Sequence, residues 1–334
     1  MALDRDLGVA VVRALRAVGE GPARGWEMTA ATGVRGLRLV GEAGPFREFL
    51  LTERHPAAYE VLDRNCRDRP TARAELRDAG ELPPGRPFDY VDLDPYGSPL
   101  PFLATALGSV SSGGTVAVTA TDLMVLAGAQ PAVCRRLYGA EPVRGRLGPE
   151  GGLRILLSAM ASEARRAGRR IDPRLAYVRD HHVRAYVTVR TDGDLPDPIG
   201  RIDPAWWDGP ALGQGGPFGP LWLGPLFDRA FVAHLEVPAT AEHPGKLAAL
   251  LERFRDESGV DRPFYFEANE LARAARLERP PGMRDLGEAL RRSGYRWART
   301  HARPSGFRTD APRAEVEAIA RGLAAQSQKA RVRA

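Results

Sequence analysis

Ala30-Ala31-Thr32-Gly33-Val34-Arg35-Gly36 is the stretch on which the fold turns. The apolar run Trp26-Glu27-Met28-Thr29 leads into it and Leu37-Arg38-Leu39-Val40 follows, so a glycine-containing turn comes straight after a strand. Glu53 lies 20 residues past Gly33, at the end of the next β-rich run, Glu48 to Thr52. Glycines let the backbone approach a ligand, and a carboxylate at the end of the neighbouring strand accepts both hydroxyls of a ribose. That is the layout of a nucleoside-binding βαβ unit. The spacing is not Gly-x-Gly-x-x-Gly, which argues against a dinucleotide. Glycine in a tight turn usually serves only the backbone, so the turn carries weight through Glu53 rather than alone.

Outward from this unit, short β-rich runs alternate with helical patterns. Leu7 to Val18 has helical spacing, and Pro56 to Arg67 opens with proline in its first turn. Phe88 to Leu93 and Thr115 to Thr121 read as strands, Leu153 to Ala167 as a helix, and Ala176 to Val189 as one or two closing strands. The alternation predicts an α/β fold with a parallel, Rossmann-like sheet over residues 1–190. Residues 191–224 are dense in Gly and Pro, with Trp206, Trp207, Phe218 and Trp222 interleaved, and read as a connecting or irregular packed segment. A smaller α/β domain over 225–334 follows, with helical patterns at Pro244 to Arg255, Glu267 to Ala275 and Met283 to Ser293.

Composition sets outer bounds. The chain has 334 residues, 43% hydrophobic and 27% charged, as in ordinary globular proteins. No apolar run reaches the roughly 18 to 20 residues of a membrane helix, and no signal peptide is visible, so the expected setting is cytoplasmic. Cys66 and Cys134 are too few for a disulfide framework or a four-thiolate zinc site. The net charge is +6, and Lys246 and Lys329 are the only lysines. Guanidinium groups bind phosphate bidentately and stack on bases, which suits nucleic acid. Asn269 to Arg303 carries nine arginines against four carboxylates.

Val91-Asp92-Leu93-Asp94-Pro95-Tyr96-Gly97-Ser98-Pro99 is the sharpest local signal. An apolar strand runs into an acid, a proline and an aromatic residue. Methylating an aryl amine needs these residue types, because the amine lone pair is delocalised into the ring and must be turned toward the methyl donor. Asp94, with the Pro95 carbonyl, accepts both amine hydrogens, and Tyr96 offers a stacking face. A tight turn with a capping Asp would use the same residues. The glycine turn two strands earlier favours the chemical reading. Adenine N6 and guanine N2 satisfy it equally, in rRNA, tRNA or DNA. Asp78-Ala79 falls after the third expected strand, where an adenine-reading side chain would lie. His181-His182 read as one side chain in and one out, because neighbours on a strand face opposite ways. Cys134 reads as a buried small side chain.

Taken together, these stretches resemble the tRNA (guanine-26-N2)-dimethyltransferases over nearly the whole chain. Leu3-Asp4-Arg5-Asp6-Leu7, Ala30 to Arg38, Asp92 to Pro99, Thr119 to Asp122, Gly152 to Leu156, Gly219 to Leu226 and Arg299-Thr300-His301 carry the resemblance, in order. It implies a class I S-adenosylmethionine-dependent methyltransferase domain followed by a C-terminal tRNA-binding domain. It implies cofactor contacts at Arg5, Gly33, Arg35, Glu53, Asp78 and Ala79. Asp94, Pro95 and Tyr96 are implied to be catalytic, with Tyr96, Thr121 and Arg154 on the substrate. Archaeal relatives often hold zinc in a four-cysteine site between the domains; this chain lacks those cysteines, so no structural zinc is expected. Family members usually carry an aromatic-bearing segment before the Arg5 motif, and this chain starts almost at that motif. A catalytically impaired RNA-binding homologue is the alternative within the same resemblance.

Overall fold

The computed structural model describes residues 2–191, 197–204 and 207–333, with side chains to 326; Trp206 and Lys329's side chain lie outside these limits. Seven strands form the main sheet: β1 Arg24–Glu27, β2 Glu48–Glu53, β3 Ala72–Leu76, β4 Phe88–Leu93, β5 Val110–Ala120, β6 Arg170–Arg179 and β7 His182–Arg190. Their order is β3-β2-β1-β4-β5-β7-β6. β1 to β5 are parallel, and β7 runs antiparallel to both neighbours. The closing stretch is therefore two strands in a hairpin. His181 is exposed at its turn, while His182 turns inward to Asp4, 3.2 Å away.

Helices α1 Ala2–Ala17, α2 Val34–Glu42, α3 Pro56–Cys66, α4 Leu103–Ser109, α5 Leu123–Leu126, α6 Pro131–Tyr138 and α7 Gly148–Arg166 flank the sheet. The central strands are buried on both faces, as in a doubly wound sheet: Phe49, Leu51, Tyr90, Val91, Leu93 and Val116 to Val118 are at most 1% exposed. Cys134 is in this core, and burial pushes its thiol up to about 12, which suits a packing residue rather than a nucleophile.

Beyond residue 190, β8 Ile199–Ile202 pairs antiparallel with β9 Phe218–Trp222. Phe218, Leu221 and Trp222 belong to the same buried cluster as the main sheet. The expected connecting segment is thus, in its described part, a strand pair packed into the core. Helices α8 Arg229–Ala233 and α9 Pro244–Glu257 also join that cluster, which extends to Phe264 and Tyr265. A second cluster contains Phe266, Leu271, Leu286, Leu290, Phe307 and Val316. It lies among β10 Phe266–Glu267, α10 Ala268–Ala274, α11 Met283–Arg292, β11 Trp297–Arg299, β12 Gly306–Thr309 and α12 Arg313–Arg333. The buried apolar residues thus form two bodies, the second beginning at Phe266.

A buried polar network joins the bodies. Arg308 on β12 donates from Nη2 to Glu150 of α7 at 2.9 Å and from Nε to Glu257 of α9 at 2.6 Å. Glu257 also accepts from Thr300 Oγ1 at 2.7 Å and lies 2.6 Å from His301 Nδ1. The nearby His301 and Arg308 charges hold the Glu257 carboxyl well below the usual range despite burial.

Candidate active site

The strand order reverses between β1 and β4, and in such sheets ligands bind beyond the carboxyl ends of the strands flanking that point. The segments after these strands are fixed to one another. Met28 N–H donates to Asp92 O at 2.9 Å, Ala30 N–H to Thr52 O at 2.9 Å and Asp94 N–H to Thr29 Oγ1 at 3.2 Å. Gly33 precedes α2 with φ +83°, a backbone conformation that L side chains rarely adopt; a Cβ there would meet Leu62 at 2.6 Å. At Gly36 a Cβ would fall 2.6 Å from Glu27 Oε2, whose oxygen accepts the Gly36 N–H at 2.9 Å. The two glycines let the first turn of α2 sit directly on β1.

Glu53 ends β2 beside this turn. Its Oε2 accepts from Ala31 N–H at 2.9 Å and its Oε1 from His55 N–H at 2.8 Å. Each carboxylate oxygen still has a lone pair for a ribose hydroxyl. Asp78 follows β3, accepts from Gly80 N–H at 2.8 Å, and is followed by buried Ala79. Arg35, on the first turn of α2, reaches across to pair through Nη2 with Asp94; its Nη1 is buried with no partner. A buried guanidinium donor left unpaired is costly in an apolar site, and it is matched to an anionic ligand. Turn, carboxylate and spare donor fit S-adenosylmethionine, which carries a ribose, a carboxylate and an adenine.

Tyr96 is fully exposed at 103%, the largest value among the exposed apolar side chains, and nothing in the fold requires a bare ring there. Its loop is clasped: Gly97 N–H donates to Thr121 Oγ1 at 2.7 Å and Thr121 N–H to Gly97 O at 3.0 Å. Ser98 Oγ lies 2.8 Å from Tyr138 OH, which donates to Asp122 at 2.9 Å. Burial raises the carboxyl of Asp122 and the phenol of Tyr138, so this link keeps its proton at neutral pH. Thr121 thus fastens the Asp94 loop with its hydroxyl oxygen.

Two other expected residues have partners of their own. Arg5 on α1 has its Nη2 3.5 Å from Glu242, with Nε buried and unpartnered. Arg154 is 1% exposed and donates to Glu150 at 2.8 Å and to the carbonyls of Trp222 and Gly224 at 2.7 and 3.1 Å. It ties α7 to the β9 segment.

Sequence reasoning missed the charge layer beneath the site. Asp92 and Arg184 form a buried pair at 2.6 Å, their side chains 0% and 1% exposed. Tyr90 OH also donates to Asp92 at 2.8 Å. Arg184 donates further to Thr119 Oγ1 at 2.6 Å and Tyr186 OH at 3.0 Å. Glu27, at the end of β1, is pushed up to about 8 by burial and by Asp92, against the opposing pull of Arg35. The only hint in the sequence is an acid and an arginine inside otherwise apolar strands.

Comparison with known proteins shows the family and the fold. The family model for N2,N2-dimethylguanosine tRNA methyltransferases covers residues 1–198 and 212–321. The chain belongs to that family. A tRNA (guanine(26)-N(2))-dimethyltransferase of Thermococcus kodakarensis is 36% identical to it, over 93% of this chain and 89% of the relative. The corresponding protein of Aeropyrum pernix is 32% identical over 95% and 86%. Trm1 from Pyrococcus horikoshii, solved with S-adenosyl-L-methionine, superposes with a TM-score of 0.79 at 30% identity, over 96% of this chain and 92% of that one. The sheet and flanking helices are therefore those of a class I methyltransferase, as the family resemblance implied.

Proposed function

We propose that this family member transfers methyl groups from S-adenosylmethionine to the exocyclic N2 amine of guanine 26 in tRNA. The observation that carries the reading is the placement of Asp94-Pro95-Tyr96 at the switch point, ion-paired to the first turn of α2. Arg35, Glu53 and the Asp78-Ala79 step are suited to hold the cofactor, with the Gly33 turn giving its backbone room. When bound, the cofactor supplies an electrophilic methyl group on sulfur. Asp94 and the Pro95 carbonyl accept the two amine hydrogens and turn the nitrogen lone pair out of the ring. Asp94 then takes the proton that nitrogen loses. Tyr96 stacks on the guanine, contributing roughly 1 to 3 kcal/mol against the few kcal/mol that extrusion from the helix costs.

Exposed arginines of the second body provide phosphate contacts in this reading. Arg292 is exposed and Arg291 stacks on Trp297 at 5.0 Å, whereas Arg296 is paired with Asp310 and Arg299 donates to Pro304 O. No helix among the described residues is long and apolar enough to cross a membrane. The reading includes a cytoplasmic setting and no structural zinc, the latter checked by elemental analysis of the purified protein.

The test is methylation of unmodified tRNA with labelled cofactor, followed by nucleoside analysis. N2-methylguanosine or its dimethyl form is the expected product. Methyladenosine alone would overturn the assignment. Asp94→Ala should abolish turnover while tRNA binding persists; if neither form methylates and both bind tRNA, the chain is a binding protein.

A further inference from the structure

Arg35 stands between two carboxylates that need it at different moments. Its Nη2 is given to Asp94, the residue that must accept the amine, and this is the only side-chain ion pair of Asp94 among the described residues. Its Nε faces Glu27 at 3.9 Å, and its Nη1 is buried without a partner. The side chain is 10% exposed, so the guanidinium cannot swing into solvent. An arginine grips a carboxylate bidentately either end-on through Nη1 and Nη2 or side-on through Nε and Nη2. Both grips need Nη2, the atom committed to Asp94.

We infer that Arg35 gates Asp94: it holds the amine-accepting carboxylate until the carboxylate of the cofactor claims its Nη2, so Asp94 is freed only in the loaded enzyme. The inference rests on the functional reading above and adds an order of events to it. The unpartnered Nη1 donor makes the first contact, and completing the bidentate grip draws Nη2 off Asp94. Asp94 keeps its place through its backbone bond to Thr29, so its side chain is released without moving the loop. Cofactor affinity and access of the base to Asp94 are then reciprocally coupled. A base arriving before the cofactor finds its acceptor occupied.

The test is calorimetric binding of S-adenosylhomocysteine, which has the carboxylate but no sulfonium charge, to wild type and variants. Asp94→Asn removes the competitor and should tighten binding about five-fold or more. Asp94→Ser, a second neutral variant, should do the same, with thermal melts confirming that both fold. In an Arg35→Gln background the gain from Asp94→Asn should vanish. 5′-Methylthioadenosine, which lacks the carboxylate, should bind wild type and Asp94→Asn alike. Unchanged or weaker binding of S-adenosylhomocysteine by both Asp94 variants would overturn the gate while leaving the functional reading intact. Failure of wild type to bind it at all would overturn both.

Discussion

Replacing Arg184 with methionine tests whether the charge layer under the site is held by pairing rather than by burial alone. The substitution keeps an apolar stem of similar length in β7 and removes three bonds, to Asp92 at 2.6 Å, Thr119 at 2.6 Å and Tyr186 at 3.0 Å. The two hydroxyls can rotate to other partners, but Asp92 cannot. Its side chain is 0% exposed, its Oδ1 already lacks a partner, and it would keep only the Tyr90 hydroxyl. Stranding a buried charge in this way costs about 3 to 5 kcal/mol. Urea unfolding followed by tryptophan fluorescence, to which buried Trp26 on β1 contributes, reads this as a shift in midpoint at constant slope. In wild type, Arg184 is the main influence holding the Asp92 carboxyl below its ordinary value against burial. Without it, Asp92 should titrate above its unfolded value, so the native variant binds a proton that the unfolded chain has lost. Stability then falls as pH rises, and the deficit at pH 8 should exceed that at pH 5. Adding Asp92→Leu should recover most of the loss, because apolar replacement of a whole buried pair is close to neutral. A loss below about 1 kcal/mol for Arg184→Met, or no recovery in the double variant, would refute the reasoning.

Other expectations follow from the same contacts. Glu27→Gln keeps an acceptor for the Gly36 N–H and removes a carboxyl raised from 4.5 to about 8. The raised value stabilises wild type below the unfolded value and the benefit is lost as pH rises toward 8, so thermal melts should show the variant gaining on wild type across that window. Tyr96→Ala should leave the melting temperature unchanged, since the ring is wholly exposed, and raise KM for tRNA by roughly 5- to 150-fold, the stacking loss expressed as a ratio. Arg292→Glu should weaken tRNA binding and flatten its salt dependence by about one charge's worth, measured by filter binding across salt concentrations.

The parts of the site legible in the sequence are those fixed by strand ends. Glu53 and Asp94 could be placed because a strand has a period of two and ends at a Gly or Pro signal, and the topology then brings such ends to one edge. The Asp92–Arg184 pair could not, because its partners lie 92 residues apart and meet only after β7 inserts beside β5. Arg154 shows what such a reading leaves open. It lies in a stretch shared with the family, yet a shared stretch does not reveal whether a side chain faces RNA or the core. The described part of the Gly- and Pro-rich segment reads as either a connection or an irregular packed segment because its strands are short and interrupted by Gly200, Gly219 and Pro220. Its buried aromatic residues were the better guide.

The buried junction of Glu150, Glu257 and Arg308 has a consequence for inheritance. Its acids come from helices of the first body and its arginine from the second, 158 positions after Glu150. A fragment ending before β10 would leave Glu150 with Arg154 as its remaining arginine and would strip Glu257 of Arg308, Thr300 and His301 together. Exchanging either body for that of a distant relative would succeed only if both sides of this junction travelled together. The two halves are thus matched to one another through a buried contact, and a change on one side calls for a compensating change on the other.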